Sequence, residues 1–126
     1  FLCLPFEQEG SIMAQITLPW PPKELSPNGS HGHWRVKSTA RKLYKLNCLW
    51  TIKARGAGYL QGASKFKIVF CPPTKRRMDL DNMIARFKSG GDAIAELCGV
   101  DDSDWEVTYV RGESVKGGAV IVEVLV

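Results

Sequence analysis

Glycine and proline punctuate this chain so closely that, with few exceptions, only short elements fit between them. The main exception runs from about Ser38 to Arg55, which contains neither residue. There Leu43, Leu46, Leu49 and Trp50 recur at helical spacing among Arg41, Lys42, Lys45 and Lys53, so the stretch reads as a basic helix. Upstream, Ala14–Leu18 alternates and stops at Pro19-Trp20-Pro21-Pro22, where missing amide donors end any strand ladder. Residues 23–34, with Ser26-Pro27-Asn28-Gly29-Ser30 and His31-Gly32-His33, carry turn chemistry and read as an exposed loop.

Downstream, Phe66–Cys71 reads as a half-buried strand ending at Pro72-Pro73. Asn82–Cys98 is apolar at 83, 84, 87, 94 and 97 and is followed by Gly99, the pattern of a second helix with its terminating glycine. Gly90 and Gly91 inside it cost about 1 kcal/mol each relative to alanine, which points to another backbone approaching closely, a subunit contact among the options. Glu106–Arg111 and Ala119–Leu125 read as two strands, with Lys116-Gly117-Gly118 turning between them. The order strand, helix, strand, helix, strand, strand predicts an α+β domain: a mixed or antiparallel four-stranded sheet with its helices on one face.

A length of 126 residues suits one domain and is short for two. We assign it to residues 13–126 and set residues 1–12 apart as an extension, since Met13 directly precedes the first strand. The Phe1–Phe6 run is too short and too acidic in its sequel for a signal peptide. No window reaches the run of about 18 apolar residues that a membrane helix needs, so the sequence predicts a cytoplasmic protein without a membrane partner. Cys3, Cys48, Cys71 and Cys98 show no disulfide or zinc spacing and are expected to be reduced thiols; His31 and His33 complete no ligand pattern with them.

Charge is distributed unevenly. Residues 1–78 hold 13 Lys/Arg against 3 Asp/Glu, and residues 79–126 hold 4 against 10. A basic first part suits a polyanion, because phosphate neutralisation supplies most nonspecific nucleic-acid affinity; a merely solvated basic face is the alternative. The acidic part begins with Asp79-Leu80-Asp81-Asn82, where two carboxylates two apart on an extended segment would point the same way. Like charges so close call for a cation, and all-oxygen ligands suit hard Mg²⁺. Helix capping by one aspartate is the competing reading. Asp101-Asp102 follows the helix; since about 17 helical residues span roughly 25 Å, the two ends share a metal only if the chain folds back or a partner supplies one end. Lys88, seven residues after Asp81, returns to within about 20° of the same helical face.

Ile16-Thr-Leu-Pro-Trp-Pro-Pro22, Arg77-x-Asp-Leu-Asp-Asn82, Phe87-Lys88 with Asp92-Ala93, Asp101-Asp102 and Lys116-Gly-Gly118 occur in the order seen in RusA-type Holliday junction resolvases, and the chain resembles their prophage-like subgroup over most of residues 14–126. The resemblance implies a homodimeric, Mg²⁺-dependent endonuclease, Mn²⁺ being an alternative metal, that nicks two strands of a four-way DNA junction symmetrically. It places the catalytic and metal-binding aspartates at Asp79, Asp81 and Asp102 and the catalytic lysine at Lys88, with Asp101 the lesser of the adjacent pair. Three extra residues between Asp-Leu-Asp-Asn and Lys88 set this chain apart from the best-known members. On this reading no small-molecule cofactor is needed, and Arg35, Lys37, Arg41, Lys42, Lys45, Lys75, Arg76 and Arg77 hold DNA through phosphate contacts. The rivals are a non-catalytic junction-binding module and a metal-dependent nuclease of other branched or single-strand specificity.

Overall fold

The computed structural model describes residues 12–26 and 34–126. Of the exposed loop expected at residues 23–34, residues 27–33, His31 and His33 included, lie outside these residues, as do residues 1–11, Cys3 included; Lys23–Leu25 instead forms a 3-10 turn with Leu25 buried, and Trp34 opens the first helix. The elements are β1 (Ile12–Leu18), α1 (Trp34–Ala54), β2 (Lys65–Cys71), α2 (Leu80–Arg86), α3 (Lys88–Cys98), β3 (Glu106–Arg111) and β4 (Ala119–Leu125). Ile12, placed in the extension by the sequence, already pairs with Leu125.

The chain is a mixed α+β domain whose single sheet runs β1-β4-β2-β3. β4 is antiparallel to both neighbours, while β2 and β3 are parallel. Parallel strands need a long crossover, and α2 and α3 supply it. The expected turn between β3 and β4 is therefore not a hairpin. Residues 112–118 carry the chain past β2, and β4 inserts between β1 and β2. The central place suits its alternation, with Val120, Val122 and Val124 all fully buried. β3, bearing Glu106, Thr108 and Arg111, takes an edge, where charged side chains reach water. Trp20 lies against the Gly118 backbone, where a Cβ would meet its ring at 2.8 Å.

One sheet face meets the helices. Its rows are Leu18, Val120, Phe70 and Arg111, then Ile16, Val122, Ile68 and Tyr109, then Ala14, Val124, Phe66 and Val107. The buried members share one core with Tyr44, Cys48 and Ile52 of α1 and with Met83, Phe87, Ala93, Ile94 and Cys98. In α1 the inward stripe is thus 44, 48 and 52, and of the leucines that mark the helix in the sequence only Leu49 packs against the core, half-buried. Leu43, Leu46 and Trp50 are exposed. The helix is apolar on two sides, and Tyr44 is tolerated inside because its hydroxyl donates to the Pro19 carbonyl at 2.5 Å.

The second predicted helix is two. It is interrupted at Phe87, which caps α2 and precedes α3, and whose amide is shared between the Met83 and Ile84 carbonyls at 3.1 Å each. The close approach predicted at Gly90-Gly91 is real at Gly90 only. What approaches is the Phe87 ring and not a backbone, and Gly91 faces open space.

Candidate functional site

The aspartates singled out by sequence sit at element ends. Asp79 precedes α2 in extended backbone (φ −68°, ψ 140°), and its carbonyl accepts from the Met83 amide at 3.2 Å. Its side chain makes no capping hydrogen bond, so its exposed carboxylate is not spent on the helix amides. Asp81 lies in the first turn of α2 and is also exposed. Because the helix begins at Leu80, strand alternation does not operate between the two aspartates. The two carboxylates therefore share no direction by strand alternation.

At the far end, α3 closes on Gly99 in the left-handed conformation (φ 76°), which turns the chain back. Asp101 then caps a short 3-10 turn at Asp102–Asp104, its Oδ1 accepting from the Ser103 amide at 3.0 Å and hydroxyl at 3.1 Å. These bonds, the amide's first, hold its carboxyl below the usual range. Asp102 is left to meet Lys88. The Lys88 Nζ lies 3.3 Å from Asp102 Oδ2 and 3.7 Å from Asp92 Oδ1. The Asp102 hydrogen bond, followed by the charge of Asp92, raises the lysine above its ordinary range. After Gly99 the chain turns back far enough for Asp102 to reach Lys88 at the start of α3, while Asp79 and Asp81 lie at the start of α2. The helical-face argument linking Lys88 to Asp81 does not survive the interruption at Phe87; the partners of Lys88 are Asp92 and Asp102.

Two residues that sequence reasoning missed connect the groups. The Tyr109 phenol, its ring stacked on Phe70 at 6.0 Å, is pushed up by burial and then by the charge of Asp102, against an opposing effect of Lys88. Arg111 donates to the carbonyl of Met78, the residue before Asp79. Residues two apart on a strand share a face at about 6.6 Å. Tyr109 and Arg111 thus share one face of β3, and Arg111 ties that face to the segment before α2.

Among the described residues, no three His, Cys, Asp or Glu side chains are grouped to hold one metal ion. The donor chemistry of Asp79, Asp81 and Asp102 suits a hard divalent cation. Their placement leaves Asp102 paired with Lys88 and the other two at the start of α2.

The basic residues divide into two sets. Lys75, Arg76 and Arg77 line a cleft of about 730 Å³ with Arg111, immediately before Asp79. On α1, Arg35 lies over the Trp34 ring at 5.6 Å, Arg41 and Lys42 are exposed, and Lys37 reaches the Ser26 carbonyl at 3.4 Å. Lys45 is committed to Glu96 at 2.9 Å. Arg86, also missed, is buried with its Nη2 on the Pro21 carbonyl at 2.6 Å and its guanidinium over Trp20. Its position three after Met83, on the inward helical stripe, was the available signal.

No protein-family profile matches the chain. A curated protein of Xylella fastidiosa (strain Temecula1), described only as an uncharacterized protein, is 42% identical over 96 residues, covering 71% of this chain. The chain spans 61% of that relative's length. No helix among the described residues is long and apolar enough to cross a membrane.

Proposed function

We propose that the chain is a RusA-type, metal-dependent endodeoxyribonuclease that acts in the cytoplasm as a homodimer and resolves four-way DNA junctions by paired symmetric nicks. The observation that carries this reading is the contact of Lys88 with Asp102 at 3.3 Å and Asp92 at 3.7 Å, which brings the lysine and one of the three aspartates together. Asp79, Asp81 and Asp102 would hold Mg²⁺ or Mn²⁺, which when bound supplies an activated water and positive charge at the scissile phosphate. Lys88 offers a second positive charge at the same place, and its two carboxylate partners fix its position. Lys75, Arg76, Arg77 and Arg111 line the cleft next to Asp79, where strand phosphates would be positioned without sequence being read.

A second reading, a junction-binding module without catalysis, is favoured by the lack of a three-residue ligand cluster among the described residues. Incubation with junction, duplex and single-stranded DNA in Mg²⁺ separates the readings. Junctions are expected to be cut in preference, and Asp79→Asn is expected to lower cleavage at least about 100-fold while leaving binding intact. Unaltered cleavage by Asp79→Asn overturns the assigned site, and equal cutting of single strands overturns the specificity.

A further inference from the structure

Lys37 and Arg41, one turn apart on α1, face Arg86, Lys88 and Ser89 across a cavity of about 200 Å³ that also touches Leu25. Four cations and no carboxylate line it. The charge of Lys88 is met from outside by Asp92 and Asp102, and Glu24 lies near enough to Arg86 to favour its charge. Arg41 forms no ion pair among the described residues. Arg86 is only 9% exposed, and its Nε has no hydrogen-bond partner among the described residues. That nitrogen is closed to solvent, so Arg86 adds a fixed positive charge to the wall, and the reachable donors are those of Lys37 and Arg41. The guanidinium is also held in place, by the Pro21 carbonyl on one side and the Trp20 ring on the other. Ser89, likewise buried, brings a hydroxyl to the same wall.

We propose that this cavity between α1 and the α2–α3 junction is a binding site for one phosphodiester group of a nucleic-acid strand, contacted by Lys37, Arg41 and Ser89 and attracted by the fixed charge of Arg86. Its volume of about 200 Å³ is enough for a phosphate with some hydration. The planar guanidinium of Arg41 can offer a phosphate two donors at once, which an ammonium does not. The inference rests on the nuclease reading in one respect: Lys88 borders both this cavity and Asp102, so the bound group is a neighbour of the phosphate that reacts.

The test uses a fluorescent duplex and a four-way junction in Ca²⁺, over a range of KCl, with Lys37→Gln/Arg41→Gln as the variant. Both positions lie toward the helix surface and glutamine keeps helix propensity, so the double variant is expected to fold. Its affinity should fall about 10-fold and its log–log salt slope by about 2. Millimolar inorganic phosphate should move the Ser89 and Gly90 amide resonances of the unaltered protein, a short duplex should move the same resonances, and neither should do so in the variant. An unchanged salt slope overturns the proposal. So does a response of those resonances to inorganic phosphate without one to the duplex, which marks a free-anion site instead. Neither readout needs cleavage, so their failure leaves the nuclease reading intact, and an inactive chain that still binds through this cavity leaves the proposal intact.

Discussion

A methyl group at position 90 would stand 2.4 Å from Cε1 of Phe87, whose ring is boxed in by Tyr44 and Phe70 at centroid distances of 6.4 and 5.8 Å. The ring is only 2% exposed and has nowhere to go. Overpacking of this kind costs about 1–3 kcal/mol, more than the roughly 1 kcal/mol that alanine gains over glycine in a helix. Gly91 has nothing within 4 Å of its virtual Cβ. Gly90→Ala is therefore expected to destabilise by about 1 kcal/mol net, and Gly91→Ala to stabilise by about 0.5–1 kcal/mol, both read from urea midpoints at constant m-value. The sequence shows that a glycine pair inside a helix needs a reason. It does not show which glycine, because that depends on a ring whose rotamer is set by residues on α1 and β2. The same limit applies at the site: the aspartates are legible as a motif, whereas Tyr109 and Arg111 join them only through strand pairing.

At the level of elements, α1 shows how an apolar pattern misleads when a helix is apolar on two sides. Leu43 and Leu46 mark the outward side, while the core takes Tyr44, Cys48 and Ile52. Burial pushes the Cys48 thiol up to about 12, against a hydrogen bond with Tyr44 that lowers it, and burial raises the Tyr44 phenol as well. A thiol that ionises near 9 in the unfolded chain and higher in the fold leaves the unfolded state with fewer bound protons at alkaline pH. Stability is thus full below pH 9 and falls above it, by about 1.4 kcal/mol per pH unit from this group up to its folded value. Cys71, also raised, adds in the same direction. Denaturant unfolding between pH 8 and 10.5 should show the decline, and Cys48→Ala should lower stability at pH 8 while flattening the slope. The strands themselves were legible from alternation, but their neighbours were not. Period-two burial fixes which side chains face inward and says nothing of whether residues 112–118 turn back or cross over β2, so the inserted position of β4 emerges only from the folded sheet.

A four-way junction has two-fold symmetry, and one copy of this chain carries one Asp79, one Asp81, one Asp102 and one Lys88. If the proposed nuclease reading holds, paired nicks call for two copies related by the same symmetry, the commonest arrangement among homo-oligomers. Sedimentation at micromolar concentration should give twice 14.0 kDa. The sharper measurement uses mixed dimers, formed from unaltered chain and an Asp79→Asn chain carrying a distinguishable tag. If each centre cuts its own strand and the two act on one bound junction, the mixed dimer nicks a junction once and leaves it unresolved, and resolved product appears only from dimers with two intact centres. At equal mixing and random pairing, about one quarter of dimers retain both centres, so resolution should fall to about a quarter while total junction binding is unchanged. A fall to one half, with resolved product proportional to intact chains, would mean that the copies act singly. That outcome would remove the symmetric mechanism while leaving each chain's carboxylates and lysine their roles.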